Sequence, residues 1–235
     1  MTALPDHRPA QPLAPDQIEA LRAWPTPAIA NAIETFAVRS RATGFMSAKV
    51  AGRFPELGVM AGYAVTARIR ASIPPEDDPE TVPREAWVDH LLTVPAPRIV
   101  VIQDMDQPPV GSYWGEVNAT RHQAMGCLGV ITDGGVRDLD EMRSMGFNAL
   151  SAAVLVSHAY VHMVDVGGPV TVGGLTVHSG DLLAADQHGA IHIPHDIAPE
   201  VAAAAKRVED EERAIIAFYR RPEYRPGDRD GGRYP

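Results

Sequence analysis

A single cysteine, Cys127, stands among 235 residues. One thiol excludes an intrachain disulfide, and it excludes the zinc-finger and redox spacings, which need at least two. Long hydrophobic runs are missing too: no segment approaches the roughly 18 apolar residues of a spanning helix. Met1 to Asp16 carry neither a basic run nor a continuous apolar stretch, so no secretory signal is read there, and a cytoplasmic setting is the expectation. Positive charge is also short, with 21 Lys and Arg against 30 Asp and Glu. A sequence-independent grip on phosphate backbones needs clustered basic residues, so neither nucleic acid nor membrane is expected as a partner. There is no Walker loop, no Gly-x-Ser-x-Gly elbow and no glycine-rich cofactor loop, which leaves nucleotide hydrolysis and serine-esterase chemistry unsupported.

What is present suffices for one globular domain. With 45% hydrophobic residues, a chain of this length buries roughly 70–75% of its unfolded surface and needs no metal to hold its core. Any metal would serve function. Prolines crowd the first stretch, at Pro5, Pro9, Pro12 and Pro15, and the last sixteen residues are charged and apolar-poor. Residues 1–19 and 220–235 therefore read as flexible arms around a domain over 20–219.

Within that domain, helical and extended patterns alternate. Thr26-Pro27 followed by Ala28, Ile29, Ala32, Ile33 and Phe36 reads as a helix with a threonine cap and a proline at its first position. Val59–Ala71 suits a strand or hairpin. Arg98–Asp104, apolar until its last residues, reads as a strand covered on both faces. A helix over Gly115–Met125, a strand over Leu128–Thr132 and a short helix over Asp138–Met145 follow, the last ended by Gly146. Then come Ala149–Val156 and two valine-rich arms around Gly173-Gly174, a hairpin signal. A long last helix runs from its cap at Asp196 to Tyr219. The pattern is mixed α/β with a β-rich second half.

Three places carry candidate chemistry. Leu128–Asp138 puts a double glycine and then Arg137-Asp138 after a buried strand, where open α/β sheets place ligands. Arg137 offers a planar fork to a carboxylate or enolate, and Asp138 a hard oxygen ligand. The ordinary alternative has Asp138 capping the following helix and Arg137 in a surface ion pair. Second, Gly115, Glu116, Val117 and Asn118 open a helix whose N–H groups suit an anion, but Glu116 would repel one unless a divalent cation intervenes. Third, the last helix carries the apolar series Val201, Ala205, Val208, Ile215 and Tyr219, interrupted by Glu212. A carboxylate on a packing face needs a partner, either an arginine or a metal-bound water in a neighbouring subunit. His158 and His162 have the spacing of a helical metal pair in a strand-like setting, and pocket lining suits them better. Asp181, Asp186 and His188 have turn and cap roles as their default.

Together, Thr26–Ile33, Gly115-Glu116, Gly129–Asp138, Gly173–Val177 with Ser179-Gly-Asp181, and Asp186–Pro194 resemble the RraA-like family. That family contains the class II 4-hydroxy-4-methyl-2-oxoglutarate and 4-carboxy-4-hydroxy-2-oxoadipate aldolases. The aldolases are similar in carrying an acid, twenty intervening residues and then Arg-Asp, the spacing here from Glu116 to Arg137; their acid is usually Asp. The resemblance implies a layered β/β/α swivelling-domain fold with a long C-terminal helix, and a homotrimer or homohexamer. It implies Mg²⁺ or Mn²⁺ held by Asp138, and through water by Glu212 or else Glu209 from the adjacent subunit. Arg137 and Glu116 become the catalytic residues, and the backbone of Gly115, Glu116, Val117 and Asn118 binds the substrate carboxylate with Arg137. The implied activity is metal-dependent cleavage of a 4-hydroxy-2-oxo acid to pyruvate, with oxaloacetate decarboxylation on the side. The resemblance also implies an alternative, a non-catalytic regulator of a ribonuclease or RNA helicase. The Ser157–Gly168 segment, with His158, Tyr160 and His162, differs from the aldolase pattern and points to another substrate tail.

Overall fold

The computed structural model describes residues 11–230. In chain order it contains α1 (Pro15–Arg22), α2 (Thr26–Glu34), β1 (Ala51–Gly52), β2 (Met60–Arg70), α3 (Arg84–Thr93), β3 (Arg98–Asp104), α4 (Glu116–Ala124), β4 (Cys127–Val136), α5 (Leu139–Ser144), β5 (Asn148–Val154), β6 (His162–Val166), β7 (Val170–Val172), β8 (Leu175–Val177), β9 (Leu182–Asp186), β10 (Gly189–Ile193) and α6 (Ala198–Arg220). The main sheet has the order β1-β5-β4-β3-β2-β9-β10, with β6 pairing off β2. Its centre is parallel, β2 to β5, and β1, β6, β9 and β10 join antiparallel.

Side-chain alternation explains why the middle of β3, Ile99 to Ile102, is apolar throughout. Val100 and Ile102 enter the core under the helices with Ile29, Trp87 and Trp114. Ile99 and Val101 point the other way, into a smaller core closed by Val170, Val172 and Val177 of the β7–β8 hairpin. A strand buried on both faces has no polar side to show. The result is three layers, hairpin on sheet on helices, the β/β/α arrangement expected, with α6 as its long last helix. The hairpin turns at Gly173 and Gly174, both at positive φ, as a tight two-residue turn demands.

Several expectations need correction. α1 covers Pro15–Arg22 and buries Ile18 and Leu21, so residues 15–19 belong to the folded body rather than to an arm; residues 1–10 lie outside those described. At the other end Arg221 pairs with Asp228 at 2.6 Å, and Tyr224 packs its ring on Phe218 and Tyr219, so the chain folds back on the end of α6. Residues 231–235 lie outside the described residues. Of the two readings of Val59–Ala71, the strand holds: Met60–Arg70 is one long strand, β2. Thr26 is the first residue of α2 and its cap position is Pro25. The capping acceptor comes from far along the chain: Asp186 Oδ2 accepts the Thr26 N–H at 2.8 Å and its Oδ1 accepts the Thr26 hydroxyl at 2.7 Å. Asp186 also accepts the His188 N–H, which is its expected turn role. The cap of α6 is Ile197, with no side-chain cap, rather than Asp196. No helix among the described residues is long and apolar enough to cross a membrane.

Candidate active site

The corner after β4 is built around an unusual backbone. Asp138 sits in the left-handed region, φ 53° and ψ 50°. Non-glycine residues pay for that conformation, and such residues concentrate at functional sites. Here it turns the Asp138 carboxylate away from its own helix. Asp138 occupies the cap position of α5 yet makes no side-chain cap there; its Oδ2 instead accepts the Glu116 N–H, 3.1 Å away at the start of α4. The ordinary capping role is therefore not what the fold uses.

Gly115 makes this approach possible. Its φ of −164° suits any residue, but a Cβ at that position would collide with Asp138 Oδ2 and crowd the Arg137 side chain. The glycine is required for space rather than for conformation. The Arg137 N–H donates to the Trp114 carbonyl at 3.0 Å, and Trp114 bridges to Val136, which ties the entry of α4 to the exit of β4. Ser112 completes the tie, donating its hydroxyl to the Gly135 carbonyl at 2.8 Å. Through these bonds Glu116 and the adjacent pair Arg137-Asp138, separated by twenty residues, share one corner. Arg137 Nη2 lies 3.9 Å from Asp138 Oδ2, and both side chains are about one-third exposed, open to a small molecule. Glu116 is exposed at the first turn of α4.

The expected carboxylate cradle is only partly free. Its Glu116 N–H is given to Asp138, and the Asn118 side chain is spent on the Tyr113 carbonyl at 2.6 Å. The backbone N–H groups of Val117 and Asn118, in the first turn of α4, have no acceptor within the helix and still suit an anion. Asp138 and Glu116 offer hard oxygen donors, and Mg²⁺ takes only one or two protein carboxylates directly, so the donor set fits that ion. Among the described residues no group of three His, Cys, Asp or Glu side chains is placed to hold a metal.

Glu212 is not in this corner of its own chain. Its Oε1 accepts from the Asn31 side-chain amide at 3.0 Å, so within its own chain its partner is an amide on α2 and not an arginine. Glu209 pairs with Arg213 at 2.5 Å along α6. Tyr219, read as part of the apolar stripe, is 45% exposed. The histidines also separate: His162 is buried with Nε2 2.9 Å from Asp78 Oδ2, whereas His158 is exposed with Nδ1 against the Ala159 carbonyl at 2.6 Å. The pair does not form a metal site, and His162 braces the loop carrying Asp78 instead.

The sequence reading missed Asp104 and Asp133. Asp104 ends β3 almost wholly buried, and its N–H donates to Asp133 Oδ1 at 2.8 Å. Burial, followed by the Asp106 and Asp133 charges, pushes the Asp104 carboxyl up to about 7, and burial also raises Asp133. An acid closing an apolar strand was the visible signal.

The Aldolase/RraA model matches residues 26–192, from the start of α2 to β10, and so spans the corner. The chain belongs to the RraA-like family. A solved structure of an uncharacterized protein from Pseudomonas syringae pv. tomato is similar, with a TM-score of 0.69, 23% identity and 93% of each chain covered. RraAS2 of Streptomyces coelicolor, described as an unusual member of the RNase ES inhibitor RraA protein family, has a TM-score of 0.66 at 18% identity, over 87% of this chain and 98% of that one. At these identities the likeness is one of fold. Protein DlpA of Legionella pneumophila is 25% identical over 115 residues, 48% of this chain and 18% of that protein. The chain spans half or less of the length of the curated relatives it matches.

Proposed function

We propose that this RraA-like protein is a divalent-metal-dependent carbon–carbon lyase that cleaves a 4-hydroxy-2-oxo acid to pyruvate by retro-aldol, with oxaloacetate decarboxylation as a side activity. The observation that carries the reading is the strained Asp138, turned by its left-handed backbone onto Glu116 and beside Arg137. A cap on its own helix, α5, would not need that strain.

Asp138 would hold Mg²⁺ or Mn²⁺ directly, and Glu212 or Glu209 of an adjacent subunit in a trimer or hexamer would reach it through water. When bound, the ion supplies Lewis-acid polarisation of the 2-oxo group. The chain's own groups do the rest. The Val117 and Asn118 N–H groups receive the substrate's C1 carboxylate at the positive end of α4. Glu116, through a water, takes the proton from the C4 hydroxyl as the C3–C4 bond breaks and C4 becomes a carbonyl. The electron pair of that bond moves toward C2, and the negative charge gathering on the C2 oxygen faces the Arg137 guanidinium. Return of a proton to C3 yields pyruvate. In oxaloacetate the same bond breaks with loss of carbon dioxide, and the same charge is stabilised.

The alternative, a regulator of RNA-processing enzymes, is supported by the fold likeness to RraAS2. The Glu116–Arg137–Asp138 corner favours the lyase. The test is pyruvate release from 4-hydroxy-4-methyl-2-oxoglutarate and from oxaloacetate, with Mg²⁺, with chelator, and in Asp138→Ala. Chelator-sensitive turnover lost in the variant is the expected result. No turnover of either compound by folded, metal-supplemented protein overturns the lyase and leads to inhibition assays on a ribonuclease.

A further inference from the structure

A cavity of about 690 Å³ opens on the hairpin side of the sheet, lined among others by Lys49, Gln103, Asp104, Gln107, Asp133 and Thr171. The α4–α5 corner lies under the helical side, where Trp114, Ala119 and Met142 join the larger core. The cavity is thus a separate place, although both stand at the carboxyl ends of parallel strands, where such sheets collect ligands.

Its polar floor is incomplete. Asp104 is 2% exposed; its Oδ1 accepts the Asp106 N–H at 2.9 Å, while its Oδ2 is buried without a hydrogen-bond partner. That oxygen rests over Gly134, where any Cβ would strike it. Buried acceptors are nearly always satisfied, and the exceptions call for a reason. Asp133 lies alongside in the irregular stretch of β4, its Oδ1 already holding the Asp104 N–H. Around them, Asp106 is committed to the Ala71 and Ser72 N–H groups, and Arg68 to Asp165 and the Pro169 carbonyl. The Gln103 side-chain oxygen is taken by the Thr171 N–H and Arg68. Lys49, exposed at the rim, is the one cationic side chain in the lining.

We propose that this cavity is a second ligand site and that it takes a small molecule presenting a protonated primary amine to Asp104 and Asp133. An ammonium group carries three donors and no acceptor, which suits a pair of carboxylates short of donors. An anion would meet two acids. Mg²⁺, which also takes only one or two protein carboxylates directly, is the competing occupant, and titration with Mg²⁺ alone separates the two. Because burial raises the Asp104 carboxyl, amine binding displaces a proton from it near neutral pH. The amine has two sources, a free molecule or the chain's own Lys49.

The experiment is calorimetric titration of the full chain with putrescine near pH 7, in two buffers of different ionisation enthalpy, and with Mg²⁺ alone. Saturable putrescine binding with proton release, weakened about tenfold or more in folded Asp104→Asn and Asp133→Asn, is expected, as is equal or tighter binding in Lys49→Met. Absence of putrescine binding in the wild type overturns the proposal, as does binding unchanged in Asp104→Asn. Binding that emerges only in Lys49→Met makes Lys49 the occupant and likewise overturns an external ligand. Mg²⁺ binding that is lost in Asp104→Asn, without putrescine binding, reassigns the site to a metal. None of these readouts depends on turnover at the α4–α5 corner.

Discussion

Asp138 Oδ2 and the Glu116 N–H meet at 3.1 Å across twenty-one intervening residues, and the missing Cβ of Gly115 is what lets them meet. The contact makes one carboxylate serve two elements. It fixes the start of α4 and, by the same bond, aims the acid that the lyase reading requires.

Gly115→Ala tests that relationship directly. The backbone tolerates alanine, so the cost is steric, about 1–3 kcal/mol as in an overpacked site. Pyruvate release is expected to fall at least as far as in Arg137→Lys, with circular dichroism unchanged. Full activity in a folded Gly115→Ala protein would show that Asp138 is free to sit elsewhere.

Arg137→Lys keeps the charge and loses the fork. A point charge replaces two directed donors, so turnover is expected to drop by about 10²-fold with the fold intact. Steady-state kinetics on both substrates check it, and an unchanged kcat would remove Arg137 from the chemistry.

Asp186 caps α2 from β9, and it should matter for stability alone. Asp186→Ala leaves the Thr26 N–H without its acceptor and is expected to cost about 2 kcal/mol in urea denaturation. A shift in substrate KM without loss of stability would contradict the structural role.

His122 is buried between Trp87 and Trp114 and accepts the Trp87 indole N–H on Nε2 at 2.8 Å. Burial, first among the causes, holds its pKa down to about 4 from an ordinary 6.5. The folded state therefore keeps His122 neutral while the unfolded chain takes up a proton below 6.5. Its contribution is complete above pH 6.5 and is lost as pH falls toward 4, about 3 kcal/mol at most. Unfolding free energies measured between pH 7 and 4 should decline less steeply in His122→Leu, although that variant is less stable throughout.

Asp104 has the opposite sign. Its carboxyl is raised to about 7 from 3.8, so the fold prefers it protonated, and stability drains as pH rises through 7. Asp104→Asn removes that dependence. The melting temperature of the variant relative to wild type should climb from pH 5 to pH 8, in ligand-free protein.

Patterns tied to one element were legible in the sequence. The bounds of β3 match the apolar run Arg98–Asp104, and the β7–β8 hairpin turns at Gly173-Gly174 as read. Helix ends were read less well where the cap is distant: Thr26 looks like a cap because the residue that caps α2, Asp186, is 160 positions away. Glu212 was recognised as an anomaly on a packing face, yet its partner Asn31 belongs to a helix that α6 meets only in the folded chain.

By itself the sequence determined the alternation of strand and helix, the Arg137-Asp138 corner and the family, because apolar periodicity and glycine placement act over a few residues. Tertiary structure alone decided that Asp138 faces α4 instead of capping α5, that Glu212 meets an amide, and that Asp104 and Asp133 floor a cavity under the hairpin. Those outcomes depend on which carboxylate reaches which N–H across the sheet, and such long-range pairing leaves no local mark on the chain.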